Sequence, residues 1–291
     1  MKLVLHIGAH FTDENKLVKS LVKNTTVLNE HGVIVPEPRS YRRQIRDIMD
    51  NVDAYPISPA HREGLLRGMI GDRLPDRVVL SNSNFFGVPR GAVRENRIYP
   101  NATERLMDFS RIFHAEDIEV FLAIRDPATF LPALVNGSTE KDLEVVTGGS
   151  APMALRWSEL VMRVRQALPN VPVTVWCNED TPLIWEEVLR EFAGLDHNTP
   201  VEGGADLLRS IMSPEGGLRF EEYVATHPDL TEMQKRRVIA AFLDKFALEH
   251  EVEEELDLPG WSEDFVEAMS DIYDEDVFLI ERIPGVTLIT P

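Results

Sequence analysis

The chain has a single cysteine, Cys177, among 291 residues, which excludes an internal disulfide framework and any cysteine-rich zinc site. No window approaches the roughly 20 apolar residues of a membrane-spanning helix. The opening MKLVLHIGAH carries an apolar stretch too short for a signal h-region, and no small-residue cleavage pattern follows it. A reducing compartment, the cytoplasm, is therefore expected. Basic residues are also scarce: 30 Lys and Arg stand against 49 Asp and Glu, a net charge of −19 with a pI near 4.8. That balance argues against nucleic acid and against an anionic membrane surface as partners, since both are bound largely through Lys and Arg. HExxH and other metal-ligand spacings are missing, so no metal is expected. There is no internal repeat and no low-complexity segment.

What is present is an ordinary globular composition, with 43% hydrophobic and 27% charged residues and a mean hydropathy of −0.17. The length accommodates one large domain or two small ones. The acidity is uneven. Residues 215–291 hold 20 acids and 6 bases, whereas residues 1–214 hold 29 and 24. The densest acidic run is EHEVEEELD at 249–257.

Short apolar runs at 3–8 (LVLHIG), 77–80 (RVVL), 119–124 (EVFLAI) and 172–177 (PVTVWC) read as buried strands. Amphipathic stretches lie between them. Leu17, Leu21 and Leu28, with Val18 and Val22, share one helical face that ends at His31-Gly32, with Thr12 or Asp13 as the N-cap. Further helices are predicted over about 59–74, 101–114, 127–134, 151–168 and 181–193, and then over 205–212, 217–226, 231–249 and 262–282. A last apolar run follows at 286–289. Strands alternating with helices predict an α/β fold, a mainly parallel sheet with helices on both faces. The expected division is a core over 1–200 and an acidic, mostly helical region over 201–291 packed on it. Such sheets bind ligands beyond the carboxyl ends of their strands, here at 8–12, 81–84, 125–127 and 178–180.

Five segments, HIGAHFT (6–12), LSNSNFFG (80–87), FLAIRDPATFLPAL (121–134), VTVWCNEDTPLIWEEVLREFAG (173–194) and IYDEDVFLIERIPGVTLI (272–289), carry a family resemblance in their order and spacing. They resemble the sulfotransferase family, whose bacterial members often begin with HIGAHKTGTT, and the resemblance spans most of the chain. It implies a P-loop-type α/β fold and 3′-phosphoadenosine 5′-phosphosulfate (PAPS) as cofactor. The implied reaction is sulfuryl transfer to a hydroxyl or amine of a small-molecule or carbohydrate acceptor. Gly8, Ala9, His10, Thr12 and Asn15 of the first turn, with Arg125, would hold the donor. The sequence also departs from the family's pattern. Phe11 stands where the family has its loop Lys, and Asp13, Glu14 and Asn15 replace Gly, Thr and Thr. Ala133 occupies the Ser position that partners the Arg of the 3′-phosphate segment, and Ser83 stands where many members have an acidic base. Asp13 and Glu14 would repel a polyanionic nucleotide.

Individual residues admit two readings each. His10 is the candidate catalytic residue, as a general base or phosphate contact; alternatively it hydrogen-bonds the turn while His6 packs in the sheet. Arg125 binds an anion or pairs with Asp126, Glu179 or Asp180. Glu179 and Asp180 are paired acid/base groups or, more in keeping with their position, a helix N-cap. Cys177 is expected to be a buried apolar residue rather than a nucleophile. Arg39, Arg42, Arg43 and Arg46 form a solvated helix face or an anion site. Two functions follow: a sulfotransferase-like enzyme with a divergent donor site, or a non-catalytic relative that keeps the fold for binding. A P-loop kinase-like reading is opposed by the missing Gly-Lys-Ser/Thr.

Overall fold

The computed structural model describes residues 1–12, 15–51, 57–113, 117–252, 256 and 258–291. Its first half contains β1 (Lys2–His6), α1 (Lys16–Lys23), α2 (Thr25–Glu30), β2 (Val33–Ile34), α3 (Arg42–Met49), α4 (Pro59–Ile70), β3 (Arg77–Ser81), β4 (Val93–Arg94), β5 (Arg97–Ile98), α5 (Ala102–Ile112), β6 (Ile118–Ile124) and α6 (Pro127–Asn136). The rest contains α7 (Leu143–Thr147), α8 (Trp157–Ala167), β7 (Val173–Cys177), α9 (Thr181–Ala193), α10 (Asp206–Ile211), α11 (Pro214–Thr226), α12 (Glu232–Phe246), α13 (Glu249–Val252), α14 (Glu263–Glu281) and β8 (Val286–Ile289).

Six strands form one sheet in the order β2-β3-β1-β6-β7-β8, and every pairing in it is parallel. The four predicted runs are its central strands β3, β1, β6 and β7. The edges are β2 and β8, the latter being the last apolar run of the chain. The central strands are buried almost end to end because helices cover both faces. Successive side chains point to opposite faces. Leu3 and Leu5 of β1 thus join a core beneath α3–α6, α8 and α14, while Val4 joins a second core beneath α1, α2 and α9. The expected α/β class, a parallel sheet flanked by helices, is the observed one.

Three local differences stand out. The predicted first helix is two, broken at Asn24. The buried Asn24 amide donates to Ser20 O and Glu202 O and accepts from Glu202 N–H, so it ties the break to a distant loop and leaves Val22 half exposed. Thr12 is not the cap of α1, since its hydroxyl donates back to Ala9 O; Asn15 occupies that position in a left-handed conformation and makes no side-chain cap. Asp13, the other predicted cap, lies outside the described residues, as does Glu14. Finally, β4 and β5 form a small antiparallel hairpin that has no counterpart in the sequence reading.

The region after residue 200 is mixed. Helices α10–α12 enclose a small core of Leu208, Met212, Phe220 and Ile239 that abuts Leu183 of α9. Helix α14 instead packs on α6 and α8, and β8 extends the main sheet. No helix among the described residues is long and apolar enough to cross a membrane.

Candidate functional site

Strand β1 is central. Its connection runs to β2 and β3 on one side, while β6 lies on the other. The carboxyl end of β1 faces β3 on one side and β6 on the other, and the connections of β1 and β6 run in opposite directions, the switch point near which a sheet of this kind binds ligands. The turn after β1 borders both sides.

Toward β6 the turn is closed onto the sheet. Ile7 and Ala9 donate their amides to Phe121 O and Ala123 O, and Gly8 O accepts from Ala123 N–H, so the β1–β6 ladder continues into the turn. Gly8 has φ +110, and a Cβ there would sit 3.1 Å from His10 N, so the position suits only glycine. The His10 amide donates to the Tyr99 hydroxyl at 2.9 Å. Arg125, buried at the end of β6, donates from Nη1 to Phe11 O and from Nε to Thr129 Oγ1. Its own carbonyl accepts from the Trp157 indole. The Phe11 ring lies against Gly137 just after α6; a Cβ on Gly137 would come within 2.1 Å of that ring. The side chain in the family's Lys position is thus packed against the core.

Toward β3 a cleft of about 380 Å³ remains, lined by His6, His10, Asn15, Arg42 and the 81–84 turn. His10 forms its back wall. Its Nδ1 lies 2.6 Å from the Tyr99 hydroxyl and its Nε2 lies 2.9 Å from Asn84 Oδ1. Asn84 Oδ1 can only accept, so Nε2 carries the ring hydrogen and donates to it; in the neutral ring Nδ1 is then the acceptor and the Tyr99 hydroxyl donates to it. Burial holds the imidazole below its ordinary pKa, partly offset by the Asn84 bond. His10 is a neutral ring with both nitrogens engaged. Burial also pushes the Tyr99 phenol far up.

Arg42 projects into the same cleft from the first turn of α3. It donates from Nε and Nη2 to Ser81 O and from Nη2 to Asn15 Oδ1. The other arginines of the predicted cluster sit outside, with Arg39 paired to Glu37 and Arg43 and Arg46 to Asp47. The cluster is therefore a solvated face with one member turned inward. Sequence reasoning could not separate Arg42 from its neighbours; it placed the 81–84 turn at the ligand edge without singling out Asn82 or Asn84, and it missed Tyr99. No local pattern marks Tyr99, which reaches His10 across 89 residues.

The β7 end is structural. Cys177 is 8% exposed, and burial pushes its thiol up to about 12. Glu179 does not cap α9. It accepts from the Asp126 amide and the Tyr273 hydroxyl, joining the ends of β6 and β7 to α14. Asp180 holds the cap position without a side-chain cap bond. Asp126 caps α6 by accepting from Ala128 N–H. Among the described residues no group of three or more His, Cys, Asp or Glu is placed to hold a metal.

No protein-family model matches the chain, and no curated protein matches it. Among solved structures it is similar to a sulfotransferase from Alicyclobacillus acidocaldarius, at 16% identity, with 83% of this chain and 98% of that chain covered and a TM-score of 0.42.

Proposed function

We propose that this chain is a non-catalytic binding protein that keeps the α/β scaffold and the β1–β3 cleft but does not transfer a sulfuryl group from PAPS. The observation that carries this reading is that the donor-side groups are already bonded within the fold. A turn that binds a phosphate must point its amides at the anion. Here the Ala9 and His10 amides point to Ala123 O and the Tyr99 hydroxyl, and Arg125 is bonded to Phe11 O and Thr129. Redirecting each donor leaves a buried acceptor unsatisfied, at about 1–3 kcal/mol apiece. Nothing in the turn replaces the Lys that would stabilise the leaving oxygen. The ligand is a small molecule that fits the cleft, and the cytoplasm is the setting we infer from the cysteine content.

The second reading is sulfuryl transfer from PAPS with a divergent donor site. It is favoured by the order of the five resembling segments and by Arg125 at the end of β6. Thermal unfolding with 1 mM PAPS, or with its 3′,5′-bisphosphate product, separates the two. Binding at a hundredfold excess over Kd adds roughly 2.7 kcal/mol of stability. We expect no rise in Tm with either nucleotide. A saturable rise with both would establish donor binding and remove the observation on which the non-catalytic reading rests.

A further inference from the structure

We infer that the β1–β3 cleft is a site for the anionic group of a small organic ligand, a carboxylate or a sulfate or phosphate monoester, held by Arg42 together with the amide groups of Asn82 and Asn84. This rests on the reading of the cleft as the ligand site.

The inference comes from counting which hydrogen-bonding capacity the fold has used. Each side-chain oxygen of the three cleft asparagines already accepts one hydrogen bond within the fold. Asn15 Oδ1 takes Arg42 Nη2, Asn82 Oδ1 takes the Asn84 amide, and Asn84 Oδ1 takes His10 Nε2–H. The donors are in surplus. Among the described residues no protein group accepts from Nδ2 of the half-buried Asn82 or of the exposed Asn84, and the half-buried Arg42 bonds only neutral oxygens, so these donors are available to whatever enters the cleft. A wall that presents donors and a positive charge is complementary to an acceptor-rich anion, and charge-assisted bonds from a guanidinium are about twice as strong as neutral ones. A neutral polyol would satisfy the donors but leave the guanidinium without a counter-charge. Arg42 is held in place by Ser81 O, which also accepts from the Tyr41 hydroxyl, so its fork is oriented before any ligand arrives.

Size sets the class further. A cavity of ~150 Å³ holds benzene, so about 380 Å³ holds on the order of fifteen non-hydrogen atoms, enough for an anionic head on a small ring. The sign of the site is local, because the chain as a whole is acidic.

The test is calorimetric titration of the full chain with phenyl sulfate, phenyl phosphate, benzoate and the uncharged anisole. At least one of the three anions is expected to bind with Kd near or below about 1 mM, and anisole at least tenfold more weakly. The three anions distinguish sulfate ester, phosphate ester and carboxylate as the preferred head. Arg42→Gln is expected to lose at least tenfold in affinity. Asn82→Asp keeps the oxygen that accepts from Asn84 and adds a negative charge beside Arg42, so it serves if Arg42→Gln folds poorly, and the same loss is expected. Arg43→Gln, on the outer face of α3, is expected to bind as the wild type does. The inference is overturned if none of the anions binds, if anisole binds equally well, or if Arg42→Gln and Asn82→Asp both retain wild-type affinity. Any of these leaves the non-catalytic reading standing, since that reading falls only to PAPS or bisphosphate binding.

Discussion

His10 lies buried between Tyr99 and Asn84, with one ring nitrogen within hydrogen-bond distance of each. Its titration has a thermodynamic consequence. The folded pKa is lowered by burial, so as pH falls through about 6.5 the unfolded chain takes up the proton first and stability is lost. We expect His10→Gln to lose less stability between pH 7 and pH 5 than the wild type, measured by urea unfolding; equal losses would contradict the assignment. Glu179 works in the opposite sense. The residue as a whole is exposed, but its carboxyl is desolvated against the Asp126 amide and the Tyr273 hydroxyl, which raises its pKa, so its contribution is full below about 4.5 and is lost as pH rises toward the folded value. Glu179→Gln keeps an acceptor for the Asp126 amide and should gain stability relative to the wild type on going from pH 4 to pH 7. A difference that does not change with pH would count against it. Cys177 offers a third readout. With its thiol pushed to about 12, native alkylation by iodoacetamide at pH 8 should be about a thousandfold slower or more than in denaturant. Comparable rates would mean that the thiol is exposed.

At the scale of elements, several boundaries follow local rules and several follow distant contacts. Ser58, Ser213 and Ser262 each cap the helix that follows them, and Thr231 forms a reciprocal capping box with Gln234, all within three residues of sequence. Helix α8 is different. Its N-terminus is capped by Asp276 of α14, which accepts from the Trp157 and Ser158 amides and from the Ser158 hydroxyl. This carboxylate is 2% exposed and fixes α14 onto α8. Asp276→Ala leaves two buried amides unsatisfied and should cost about 2–3 kcal/mol of unfolding free energy. A loss under about 0.5 kcal/mol would show that the cap contributes little. The four central strands and the positions of most helices were legible because burial on both faces demands apolar runs and one-sided burial demands a 3.6-residue period. The break at Asn24 and the cap of α8 were not legible, because their partners lie 178 and 118–119 residues away.

At the scale of the whole molecule, the net charge of −19 bears on stability. Most of it lies after residue 214, where acids outnumber bases 20 to 6. Self-repulsion of like charge disfavours the compact state and is screened by salt. Tm should therefore rise between about 20 mM and 300 mM NaCl, where the Debye length falls below ~10 Å. A flat or falling Tm would mean that local ion pairs outweigh the net repulsion. The sequence by itself determined the α/β class, since alternating strand and helix periods admit few other packings. It also determined that residues 8–15 of the first turn carry no Lys. Only the tertiary structure decided what that turn does. A hydrogen bond links atoms wherever the fold brings them together, and the partners of His10, Arg125 and Arg42 come from other strands and turns. Those partners close the β6 side of the turn and leave the donor-rich cleft on the β3 side.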